Sequence, residues 1–339
     1  MPRGRLSKGG YLMSHQVYRK AQWVLLFIGL LGILFGSARD VVAQMSNRIY
    51  VANMEDGTIS VIDAANLQVV ATIDAQGKQT HDLWLSPDDK WLFATNMETG
   101  TVSVVDTATN QVKTTIPTGK RTHALGLTPD GKELWVNAGE EDYIPIVDTE
   151  TLTVVANVPL EEPVGNGHIW FTPDGKKAYM TSPKLAQVLV IDVPGRKVLT
   201  RIPVGKGCTF LQVSPDGREI WGTNTGESSI YVIDTESNKV KATIEVGKNP
   251  QHLTRVGSQV FISVGGQDEV AIVDAKSLTV VGRIPVGKKP HGIWPSPDGK
   301  RLYVVHEETA DLRVIDVASP SVVGTVPTGK KPIAVVASQ

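Results

Sequence analysis

Six of the seven histidines and the single cysteine lie beyond residue 43, and their placement is regular. His81, His123 and His291 each stand six residues before a proline (Pro87, Pro129, Pro297), and His168 stands five before Pro173. Cys208 is seven before Pro215. His252 sits one place past the equivalent position, judged from the aligned segments Gly247 to Pro250 and Gly287 to Pro290. Imidazole and thiolate are borderline and soft ligands, so a ring of them would suit copper or zinc, or the axial position of a haem. A repeat also inherits side chains by duplication, and polar residues can simply fill a wet channel, so both readings stand. Side chains alternate along a strand, so the offset histidines need not point the same way.

Other chemistry is absent from the sequence. No G-x-S-x-G elbow, H-E-x-x-H pair, phosphate loop or C-x-x-C-H haem motif occurs. Cys208 beside a histidine could act as a nucleophile, although a buried thiol is inert. Trp84, Trp170 and Trp294 each lie three residues before their proline. A repeated aromatic in a strand is expected to pack between neighbouring sheets rather than form a stacking platform.

The elements that position these residues repeat. Seven aspartates (Asp63, Asp106, Asp148, Asp192, Asp234, Asp274, Asp316) follow one another at intervals of 43, 42, 44, 42, 40 and 42 residues. Between them recur a Thr/Ser-Pro-Asp-Gly turn, as at Thr128 to Gly131, and an Ile-Pro-x-Gly segment, as at Ile116 to Gly119. Proline presets φ for the turn, aspartate bonds its own backbone, and glycine accepts positive φ. Alternating runs such as Thr101 to Val105 read as half-buried strands. Each repeat thus supplies four strands, A to D, and four-stranded units of this period are blades of a β-propeller. After residue 43 the chain opens on a strand B, and it ends on an unpartnered strand A at Pro332 to Ser338. The fold expected is all-β: a seven-bladed β-propeller with four-stranded blades, closed when the C-terminal strand A completes the N-terminal blade.

In such a ring the histidines and Cys208 enter strand A on the face of the D–A and B–C loops. His306, in the last B–C loop, joins them, so all seven are expected at one channel mouth. The B–C loops add Glu55-Asp56, Glu98, Glu140 to Asp142, Glu227, Asp268-Glu269 and Glu307-Glu308. These form a solvated acidic rim or orient the imidazoles. The repeat, with Tyr50 to Asn53 reading YVAN and segments like Thr101 to Asp106, resembles the YVTN-repeat β-propeller family. That resemblance spans the chain after residue 43. It implies an exported bacterial protein, in a family that includes surface-layer proteins, periplasmic binding proteins and parts of redox systems.

The first 43 residues read as an address. Trp23 to Ala38 is an uncharged apolar run behind five basic residues, and Val41 to Ala43 offers a small-residue cleavage site. The run is short for a spanning helix, so a cleaved signal peptide is expected over an N-terminal anchor, with Met1 or Met13 as the start. The domains are then 1–43 and 44–339, the second a periplasmic or extracellular monomer. The whole chain has 34 basic and 35 acidic residues, and the leader holds six of the bases but one acid. The ring itself therefore carries a formal charge of −6, which gives it no claim on nucleic acid. A non-catalytic scaffold binding a protein partner or small ligand is expected. The alternatives are a metal- or haem-dependent redox protein and an envelope structural protein.

Overall fold

The computed structural model describes residues 47–339; the leader and its apolar run lie outside them. The described chain consists of 28 strands in seven four-stranded antiparallel sheets, with no helix among the described residues. Each sheet runs A-B-C-D outward from the channel. The inner strands are β4 (Thr80–Leu85), β8 (Thr122–Leu127), β12 (Ile169–Phe171), β16 (Cys208–Val213), β20 (Pro250–Val256), β24 (Pro290–Pro295) and β28 (Pro332–Ala337).

Closure follows the expected route. β28 pairs antiparallel with β1 (Arg48–Asn53), placing Tyr50 opposite Val336 and Val51 opposite Val335. Ser338 seals the seam, its Oγ accepting the Arg48 N–H at 2.9 Å. No sheet edge is left open where the ring begins and ends, which removes a site for edge-to-edge association.

The repeat residues do their assigned work. In five A–B turns the Ser or Thr hydroxyl donates to the turn aspartate, as from Thr172 to Asp174 at 2.6 Å. The turn glycines Gly131, Gly175, Gly217 and Gly299 all have positive φ. Asp89, which replaces glycine in the variant turn, is forced to φ 55°. The strand-ending aspartates cap the next turn, Asp148 accepting the N–H groups of Glu150 and Thr151. Strands B and C are almost wholly buried between blades, whereas strand D shows water its outer side, at Val155 and Val281 for example. Burial of these β-branched faces supplies the main stabilisation.

Candidate functional site

The site is built at the loop-face end of the seven inner strands, where the chain enters each blade. Counted back from the turn proline, position six holds His81, His123 and His291, while His168 stands at position five. By strand register His252 aligns with position five as well. All five imidazoles converge. Ring centres lie 4.1 Å apart for His81 and His123, 5.1 Å for His123 and His168, 4.9 Å for His168 and His252, and 4.7 Å for His252 and His291. Phe210 completes the layer by stacking on His252 at 4.1 Å. None of the five is more than 9% exposed, so they close the channel instead of lining an open mouth.

Three of the five imidazoles are tied to a neighbouring blade. His123 Nδ1 lies 3.3 Å from the Gly167 carbonyl, His168 Nδ1 2.9 Å from that of Thr209, and His291 Nδ1 2.9 Å from that of Ile333. A carbonyl only accepts, so each of these Nδ1 atoms carries the proton and each Nε2 keeps its lone pair. Strand-B hydroxyls pin the same inner strands: Thr95 donates to the His123 carbonyl at 2.8 Å and Thr181 to that of Thr209 at 3.0 Å. Burial pushes all five imidazoles below their ordinary range. His168 falls to about 4, the carbonyl of Thr209 opposing the burial. Neighbouring imidazoles depress His81, His123 and His252 further, because each would repel the others once charged. The layer is neutral near neutral pH.

Two of the seven expected residues lie elsewhere. Cys208 is fully buried among Tyr179, Leu211 and Tyr231, and its thiol donates to the Ser182 and Gln187 carbonyls. Burial raises it to about 11, which keeps it protonated and a poor nucleophile. The strand-A entry turns this side chain into the sheet interface, not toward the axis. His306 ends its strand B at the position held by Asn53, Asn96 and Asn224 in other blades. There it faces Asp311 across the sheet, Nδ1 to Oδ1 2.7 Å, where the asparagines bond Thr58, Thr101 and Ser229. A His–Asp pair has thus replaced an Asn–hydroxyl pair, away from the imidazole layer. Among the described residues, no three His, Cys, Asp or Glu side chains are arranged to hold a metal ion.

The tryptophans do more than expected. Trp84, Trp170 and Trp294 pack against the cores between blades, as expected, but they also meet one another across the channel, at 4.9, 5.9 and 6.2 Å. The loop face is less acidic than the B–C loops suggest. A Gly-Lys pair recurs in six D–A loops, at Lys78, Lys120, Lys206, Lys248, Lys288 and Lys330. Its register was legible in the sequence, and it sets a basic collar against the acidic one. Glu307, its side chain 6% exposed, sits 3.0 Å from Lys289 and 4.0 Å from Lys331 beside His291. Clefts of about 420 and 530 Å³ open between these loops at the first three blades.

Comparison with known proteins bears on this geometry. No curated protein matches the chain. Among solved structures, the hydrazine synthase of Kuenenia stuttgartiensis aligns with a TM-score of 0.68 and 22% identity, over 75% of this chain and 88% of that one. The periplasmic gluconolactonase PpgL of Pseudomonas aeruginosa aligns with a TM-score of 0.70 and 19% identity, over 85% and 98%. A functionally unknown protein from Desulfotomaculum acetoxidans gives 0.73 and 14%, over 85% and 99%. At such identities the likeness is one of fold. The family model described as lactonase, 7-bladed beta-propeller, matches residues 38–323, which takes in most of the ring. It is this family, of the same seven-bladed class as the YVTN-repeat proteins but not specifically theirs, to which the chain belongs.

Proposed function

We propose that the protein is an exported binding propeller that takes a small polar ligand on its loop face, above the imidazole layer, without turning it over. The observation that carries the reading is the layer itself. Five blades each send a neutral imidazole to one end of the channel. A filler of apolar side chains would close the channel without desolvating five polar rings. The charged collars of lysine and carboxylate above it supply orienting contacts around clefts of ligand size. Export rests on the leader sequence, with the ring facing the outside of a cytoplasmic membrane.

Native mass spectrometry of the protein isolated from its exported compartment tests this. The wild type should carry one small ligand per chain, and the variant His291→Phe/Lys289→Ala/Lys331→Ala should lose it. Wild-type protein at bare chain mass, or a ligand retained equally by the variant, would contradict the reading. Lactone hydrolysis is the second reading, favoured by the family match. Its test is the rate of acid release from glucono-δ-lactone. Under the binding reading the protein leaves the spontaneous rate unchanged; acceleration that the same variant abolishes would establish the second reading instead.

A further inference from the structure

Between two imidazoles of the layer and the tryptophans lies a small chamber. Strand-A side chains five residues before the turn proline face the channel, and in three blades these are Asp82, His168 and Phe210, with His252 in register. Two residues further on, the same face carries Trp84, Trp170 and Trp294. The space between the two tiers is about 20 Å³, room for one water-sized occupant.

Its polar walls offer lone pairs and no cation. Asp82 is buried, its carboxylate accepting N–H groups from Leu83 at 3.0 Å and Leu125 at 3.1 Å, with no Lys or Arg among the lining residues. His168, 5% exposed, gives its Nδ1 to Thr209, which leaves a buried Nε2 with no partner on a ring that lines the chamber. His252 adds a third polar wall, and the three indoles present aromatic surface. A buried carboxylate and an orphaned acceptor call for a partner that only donates.

We propose that this chamber is a binding site for one ammonium ion, held by N–H bonds to Asp82 and His168 and by the aromatic walls. The ion is the size of a water molecule, carries four donors and no acceptor, and is attracted to indole faces. A transition metal would need ligand atoms drawn to one point at about 2 Å, and no such group exists among the described residues. Water would satisfy His168 but would leave without a counter-charge that part of Asp82 which is ionised near neutral pH, where burial raises its carboxyl to about 7. The inference goes beyond the loop-face reading and does not depend on it, because none of the charged residues of the loop-face collars lines the chamber.

Thermal unfolding of the full chain in ammonium, methylammonium, potassium, sodium and zinc chlorides, at equal ionic strength and near-neutral pH, tests it. Ammonium should raise Tm several degrees above sodium and potassium, while methylammonium, too large for the chamber, should match sodium. An exchange-protected resonance of ¹⁵N-ammonium should appear with wild-type protein. The near-isosteric Asp82→Asn should lose both signals; if that variant does not fold, the wild-type resonance decides. Equal melting in all five salts without a protected resonance would overturn the proposal and assign the chamber to water. A larger rise with potassium or zinc would overturn it in favour of a metal cation.

Discussion

Acid should loosen the imidazole layer, and the size of the effect can be worked from one residue. In the folded state burial lowers the His168 imidazole from its ordinary 6.5 to about 4. The unfolded chain therefore binds more protons at every pH between and around these values. The stability this group contributes is full above pH 6.5 and is lost as the pH falls toward 4. Moving from about pH 7.5 to about pH 5.5 removes about 1.3 kcal/mol through His168 alone. The other four imidazoles are lowered too and add to the loss. Asp82 works the other way: burial raises its carboxyl to about 7, so it regains about 2 kcal/mol over the same interval. Urea unfolding at the two pH values, for wild type and His168→Phe, isolates the term. Phenylalanine keeps the ring volume, and Thr181 still donates to the Thr209 carbonyl. The variant's loss between the two pH values should be smaller than the wild type's by about 1.3 kcal/mol. An identical pH response would refute the claim that His168 is buried and neutral, while Asp82→Asn should steepen the loss.

Three other outcomes follow from the same contacts. Deleting 332–339 removes Ile333, Val335 and Val336 from the core, about 5–9 kcal/mol at usual burial values, comparable with a whole domain's stability. The truncated chain should show no cooperative melting by circular dichroism. Cys208, held near 11 by burial, should resist iodoacetamide in the native state at neutral pH and react fully in denaturant, as read by intact mass. His306→Ala leaves the Asp311 carboxylate with Arg313 as its only charged partner, at 3.6 Å, and should cost about 1–3 kcal/mol in denaturant unfolding. The double change His306→Asn/Asp311→Thr, which copies the Asn96–Thr101 pair, should recover most of it.

The fold was legible because every blade repeats its own punctuation. Asp148, the Thr128 turn and Gly131 each have a local task that no distant contact alters. The closing strand could be found because Pro332 to Ser338 had no partners of its own in sequence. The site was legible only as a gathering. Register placed His81, His123 and His291 together, but the convergence of His168 and His252 depends on how the inner strands are shifted where they enter the sheet. Cys208 and His306 shared the address without sharing the direction of the side chain. Asp82 was not legible as part of a site, because a single carboxylate gains meaning only when His168 and Trp170 from another blade meet it beside its own strand's Trp84. The lysine collar, by contrast, was present in the Gly-Lys register and was missed beside the more abundant acids.

The layer at the loop face holds neutral imidazoles, and three of them, His123, His168 and His291, are tied through Nδ1. ¹⁵N chemical shifts of the histidine rings, measured near neutral pH and assigned by single His→Phe variants, test it most directly. Neutral rings protonated on Nδ1 are predicted for His123, His168 and His291. Imidazolium rings, or protons on Nε2 at these three positions, would contradict it.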